Sequence, residues 1–271
     1  RMMRFARSGR LWNRWNQPSE LLQEPEGRRI LVLAPHMDDE VIGCGGTVRK
    51  CVLSGKEVAV AYMTDGRFGD DDLAAASGSE REEIQRRLIR VRREEAHRAC
   101  QILGIGHISF LDAEDANLRL TPEIREKLLD VLSSVRPDAV LCPFFTDDHP
   151  DHRETTRILL EVTEDTGFSF DCYCYEVWSP LYPNCLVDIT GVMDCKRRAL
   201  EAYPSQLKGI NYPRVMEALN VYRSMRVSRG GYAEAFWRSP LAHLRDFHER
   251  VNGWEARPSP DAERRRRTRR P

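Results

Sequence analysis

Several features that would direct the reading of a 271-residue chain are missing here. None of its eight cysteines, at 44, 51, 100, 142, 172, 174, 185 and 195, stands in a CxxC pair, and most lie inside apolar runs. That spacing argues against a cysteine zinc module or a disulfide framework and leaves reduced, buried thiols in a cytoplasmic protein as the expectation. No run of eighteen apolar residues occurs, so no transmembrane helix is expected. The first residues hold no apolar segment of the secretory type. Neither charge prevails, since Lys+Arg and Asp+Glu both number 42. The chain as a whole therefore has no electrostatic preference for nucleic acid or an anionic membrane. No internal repeat is found.

What is present begins with an uneven distribution of that charge. Residues 1–27 form a polar leader with five arginines, and its Leu11, Trp12, Trp15, Leu21 and Leu22 are expected to dock on the rest of the chain. Residues 241–271 form a C-terminal extension ending in an Arg-rich tail, "ERRRRTRRP", whose composition predicts disorder. Between them, 28–240 reads as one domain. Strand-length apolar runs at 29–34, 57–63, 107–111 and 138–143 alternate with helical patterns at 47–55, 80–103, 121–135 and 153–165. Thr121 followed by Pro122 is a helix start, and Gly104 and Gly55 are helix stops. Further strands are expected at 172–178 and 185–190, and further helices at 192–203 and 213–229. The pattern predicts an α/β fold, a Rossmann-like open and mainly parallel sheet flanked by helices, with a C-terminal α/β extension.

In such sheets ligands bind beyond the carboxyl ends of the strands, where strand order reverses. If the first four strands run 3-2-1-4, the segments after the first and fourth meet there. These are "PHMDDE" (35–40) and "PFFTDDHPDH" (143–152). Taken alone, Asp38 or Asp39 would serve as a helix N-cap, and "HPDH" as a polar surface turn. Converging from two strand ends about 110 residues apart, they point to a metal site. Two imidazoles and a carboxylate with an open position describe catalytic zinc. A carboxylate that does not ligate can take a proton from water, and a further histidine can serve the oxyanion or the leaving amine.

At these motifs the sequence resembles the PIG-L/LmbE family of zinc-dependent N-acetylglucosamine deacetylases, which carries PHPDDE after its first strand and an HPDH-type motif after a later one. "TDG" at 64–66, "RxxEAxxA…LG" from Arg92 to Gly104 and "KxxAxxxYxSQ" from Lys196 to Gln206 extend the resemblance over roughly 29–236. It implies Zn2+ as cofactor, with His36, Asp39 and His152 as ligands. It implies Asp38 as general base, His149 as the residue that stabilises the tetrahedral intermediate and protonates the amine, and Asp151 as a carboxylate that orients a histidine. Arg92, Asp115 and Asp65 are the implied substrate-binding residues. The implied reaction is hydrolysis of an N-acetyl group on a small amino sugar or its conjugate, with homo-oligomerisation left open. Met37 replaces the family's usual proline, and Tyr203 stands where many relatives carry histidine, either as packing or as part of the site. "YAEAFW" (232–237) resembles a C-terminal stretch of bacterial members and is expected to pack. Two alternatives stand beside this: a zinc amidase with the same zinc site but a pocket for a different acyl or thiol-conjugate amide, and a scaffold holding anionic partners through the arginine tail. Residues 66–80, 112–120 and 179–240 would build the substrate pocket, with 66–80 as a lid.

Overall fold

The computed structural model describes residues 19–69, 73, 76–227 and 230–255. The tail arginines and Leu11, Trp12 and Trp15 of the leader lie outside the described residues, as does part of the 66–80 segment. Eight strands, β1 (Glu20–Leu22), β2 (Arg29–Ala34), β3 (Glu57–Thr64), β4 (His107–Ala113), β5 (Ala139–Pro143), β6 (Asp171–Tyr175), β7 (Cys185–Asp188) and β8 (Ala233–Pro240), form one sheet in the order β1-β7-β8-β6-β5-β2-β3-β4. Among the described residues seven helices flank it: α1 (Asp39–Leu53), α2 (Gly78–Leu103), α3 (Pro122–Val135), α4 (Pro150–Val162), α5 (Met193–Glu201), α6 (Tyr212–Ser224) and α7 (Leu241–Glu255). All neighbouring strands pair in parallel except β8, which runs antiparallel to both β6 and β7. The expected α/β class with a mainly parallel sheet is the class observed.

Burial on both sheet faces explains the unbroken apolar runs of the central strands. Successive residues of β2 point to opposite sides. Ile30, Val32 and Ala34 join Val41, Cys44, Ala96, Ala99 and Ala199 on one face. Leu31 and Leu33 join Leu128, Leu132, Ile158, Leu159 and Leu244 on the other. The strand order also meets the condition set by the sequence. β2 lies between β3 and β5, with Ile30 opposite Ala139 and Val32 opposite Leu141, so the segments after β2 and β5 leave the sheet side by side.

Four stretches depart from expectation. Glu20–Leu22, placed in the polar leader, pair with Cys185–Val187 as an edge strand. Residues 232–237, read as a packing segment, belong from Ala233 on to β8 (Ala233–Pro240), and 241–255 continue directly into α7. The first helix begins at Asp39, eight residues before the expected 47. It opens with two buried acids, Asp39 and Glu40, and carries glycines at 43, 45 and 46, which weaken the helical signal there. Similarly α4 begins at Pro150, inside the HPDH motif, with His149 as its N-cap residue.

Candidate active site

Helix starts set the positions of the motif residues. Asp38 is the N-cap residue of α1 with φ of +143°, so a non-glycine residue is held in strained backbone at the mouth of the crevice. Its side chain makes no capping hydrogen bond and lines a cavity of about 250 Å3 with His36, Asp39, Ile42, Phe68, Arg92, Asp115, His149, Trp178, Gln206 and Tyr212. Asp151 and His152 project from the first turn of α4 and are buried.

The three histidines pack together: ring centroids lie 4.8 Å apart for His36 and His149, 5.4 Å for His36 and His152, and 4.7 Å for His149 and His152. Asp39 Oδ2 lies 3.2 Å from His36 Nδ1 and 3.2 Å from His152 Nε2. On its other side, His36 Nε2 is 3.1 Å from both Asp115 Oδ1 and Asp151 Oδ2. His152 Nδ1 is 3.1 Å from Asp147 Oδ1. These outer carboxylates are anchored by backbone N–H groups. Asp151 accepts from Ala116 and Leu118, Asp115 from Phe68, and Asp147 from His149, Trp178 and Ser179. Each outer carboxylate thus orients an imidazole.

The electrostatics follow from burial against this pairing. Burial disfavours the charged form of His36, but its bonds to Asp115, Asp151 and Asp39 outweigh it and raise its pKa well above the usual value. The same balance puts His152 at about 9. Burial alone would raise the carboxyls of Asp39, Asp115, Asp147 and Asp151, yet the imidazoles hold all four below the usual range. Asp38 differs. Burial, reinforced by neighbouring Asp39, lifts it to about 7 although Arg92 Nη2 stands 3.6 Å away. His149 is lowered by burial and by the other two imidazoles. Its Nδ1 accepts the Asp151 N–H at 3.2 Å, which leaves Nε2 as the protonated nitrogen of a neutral ring.

The residue types and their spacing fit a divalent metal. His152 is completely buried, and neither ring nitrogen is aligned for a hydrogen bond despite the close carboxylates. A buried polar atom left this way is rare unless something else binds it. The 3.2 Å separations of Asp39 Oδ2 from the two nitrogens match the edge of about 3.3 Å that a tetrahedron with zinc–ligand bonds near 2.0–2.1 Å would have. Among the described residues, two groups of side chains are close enough to share an ion: His36 with His149 and His152, and His36 with Asp115 and Asp151. In the second group the carboxylates are already taken by backbone N–H groups, which suits them to orienting His36.

The structure brings eight of the nine sequence-derived site residues into this cluster or its cavity. Arg92 lines the cavity while donating to Met37 O at 2.8 Å and Gly66 O at 3.3 Å. Asp65 is set apart: it is buried, does not line the cavity, and is held by Arg67. Gln206 and Tyr212 fall in the 179–240 stretch expected to build the pocket, whereas Asp147 and Trp178 are residues that sequence reasoning passed over. Of these only Asp147 had a local signal, an acid two residues before the HPDH histidine.

An open α/β sheet with an acid–histidine crevice at its switch point defines the class, a Rossmann-like protein with a site suited to metal-assisted chemistry. Comparison with known proteins narrows it. The chain belongs to the PIG-L family. The family model, described as GlcNAc-PI de-N-acetylase, matches residues 31–163. The chain is 33% identical over 195 residues, 66% of its length and 70% of the relative's, to a diacetylchitobiose deacetylase of Thermococcus kodakarensis. It is 28% identical over 139 residues, 50% of its length and 60% of the relative's, to a probable N-acetyl-alpha-D-glucosaminyl L-malate deacetylase 2 of Bacillus cereus. Among solved structures, the N,N'-diacetylchitobiose deacetylase of Pyrococcus horikoshii, in complex with an inhibitor, superposes with a TM-score of 0.68 at 27% identity, covering 79% of this chain and 85% of that one. The family expected from the two motifs is the family found.

Proposed function

We propose that the chain removes the N-acetyl group from an N-acetylglucosamine-type sugar or its conjugate, with a zinc ion held by His36, Asp39 and His152. The observation that carries this reading is the convergence of His36 Nδ1 and His152 Nε2 on one oxygen of Asp39, with carboxylates behind both rings. Bound there, zinc would supply Lewis-acid polarisation of the acetamide carbonyl and a lowered pKa for water.

The chain's own residues account for the rest. Asp38 lines the cavity with a carboxylate free of capping duty, so it can accept the proton of the attacking water. His149 offers an Nε2–H donor for the developing oxyanion, and the proton that Asp38 takes from the water is the one returned to the departing amine. Arg92 and Asp115 offer a guanidinium and a carboxylate to sugar hydroxyls on the cavity wall. Phe68, Trp178 and Tyr212 supply aromatic surface at the same cavity. Its volume of about 250 Å3 lies below the roughly 300–1,000 Å3 of typical small-molecule pockets. It suits one sugar unit, with the remainder of a larger conjugate outside.

The test is acetate release from N,N'-diacetylchitobiose by zinc-loaded protein. Asp38→Asn is expected to lose at least about a hundredfold in kcat while zinc stays stoichiometric. Full activity of that variant with zinc bound would remove Asp38 from its role. Absence of acetate release by the wild-type protein from a panel of N-acetylated sugars would contradict the reading as a whole.

A further inference from the structure

Beside the crevice lies a buried polar network that takes no part in the chemistry described so far. Glu40, fully buried, occupies the second position of α1. One of its carboxylate oxygens accepts the backbone N–H of Asp38 at 3.1 Å, and the other accepts the hydroxyl of Tyr203 at 2.6 Å. Tyr203 is itself fully buried and meets the hydroxyl of Tyr62 at 3.3 Å, which in turn meets Cys100 Sγ at 3.4 Å. The turn carrying Tyr203 is fastened to α2, where Ser205 donates to Glu95 from its backbone N–H at 2.9 Å and its hydroxyl at 2.5 Å.

This arrangement inverts ordinary helix capping. An N-cap aspartate normally spends its carboxylate on the amides of the first turn. Asp38 does not, and its carboxylate lines the cavity. A glutamate in the first turn reaches back to the N-cap N–H, one half of a capping box, and fixes the peptide that Asp38 holds at φ +143°. A strained residue persists only where its surroundings determine it. A fully buried carboxylate in turn needs donors of its own, and Tyr203 supplies the shorter contact.

We infer that Tyr203 is a positioning residue for the proposed base: its hydroxyl fixes Glu40, and Glu40 fixes the strained Asp38 peptide so that the Asp38 carboxylate faces the reacting atoms. The inference rests on the deacetylase reading above. A phenylalanine at 203 would fill the same space and leave one Glu40 oxygen without this donor, whereas a histidine could donate an N–H from the same position. The role is therefore separable from packing.

The test compares Tyr203→Phe and Tyr203→His with the wild type, using zinc-loaded protein and N,N'-diacetylchitobiose. Amide hydrogen exchange at Asp38 is measured in parallel on zinc-free protein. Tyr203→Phe is expected to lower kcat by about tenfold to a hundredfold. KM and zinc content should stay within about twofold, because the loss concerns only the transition state. The Asp38 amide should exchange faster, and Tyr203→His should recover most of both effects. The inference is overturned if Tyr203→Phe keeps wild-type kcat and exchange, if it loses zinc along with activity, or if histidine restores neither. Should the wild-type protein release no acetate, the deacetylase reading fails while the exchange comparison still decides the link from Tyr203 to Asp38.

Discussion

Two of the three imidazoles in the crevice have one nitrogen facing an outer carboxylate, and each such carboxylate is itself held by backbone N–H groups. His36 is backed by Asp151 and Asp115, and His152 by Asp147. The ring orientations are therefore built into the fold before any ion arrives. Asp147 also accepts from the backbone of Trp178, so it joins a proposed zinc ligand to the aromatic wall of the cavity. Asp147→Asn is expected to weaken zinc binding by about tenfold to a hundredfold, as removal of such supports does elsewhere. Competition with a chromogenic chelator measures it, and an unchanged affinity would deny Asp147 this role. At this scale the sequence was informative where chemistry is contiguous. His36, Asp38 and Asp39 sit within four residues, and His149, Asp151 and His152 within another four. Asp147 belongs to the same run, but nothing local told a supporting acid from a solvated one. The pairing of Glu40 with Tyr203 spans 163 residues and becomes visible only once α1 and the turn after α5 are packed.

Helix α1 shows how an element can be legible in kind and misplaced in extent. Its "GCGG" stretch fits no phosphate fingerprint, and the structure gives the glycines a packing reason. A Cβ on Gly43 would stand 2.3 Å from the Tyr175 ring, and one on Gly46 would stand 2.7 Å from Ile189. Tyr175 is fully buried and donates to Leu33 O at 2.8 Å, so its ring has little room to yield. Gly43→Ala is expected to cost about 1–3 kcal/mol, read as a lower urea midpoint with an unchanged slope. Elsewhere Asp138 ties the start of β2 to β5, accepting from the backbone of Arg28 and Arg29 at 2.9 Å each and pairing with the Arg29 guanidinium at 2.7 Å. The Arg29 side chain, with the two N–H groups, holds the Asp138 carboxyl well below the usual carboxylate range. Its folded pKa being depressed, it contributes stability above the unfolded value near ~3.9 and loses that contribution as pH falls further. The stability gap between wild type and Asp138→Asn should therefore be constant near neutrality and close below about pH 4. Urea midpoints across that range check it, and a gap that persists in acid would contradict the assignment.

For the molecule as a whole, the alternation of apolar runs was enough to give the parallel core and its switch point, because strands covered on both faces are written as unbroken apolar sequence. The margin was less legible. β1 is three residues long, and β8 carries Glu234 near its start and closes with Arg238, Ser239 and Pro240, so neither shows that pattern. Among the described residues no helix is long and apolar enough to cross a membrane. All eight cysteines are free and buried, and burial pushes the thiols of Cys51 and Cys185 up to about 12. The folded protein should therefore resist a thiol reagent at pH 8 and titrate all eight sulfurs only in denaturant, while rapid labelling of the native state would contradict that burial. The central claim is the place of the ion, and anomalous diffraction at the zinc edge from zinc-soaked crystals tests it most directly. The account predicts one peak within about 2.0–2.2 Å of His36 Nδ1, an Asp39 oxygen and His152 Nε2. A peak instead on the far side of His36, between Asp115 and Asp151, or none at all, would contradict it.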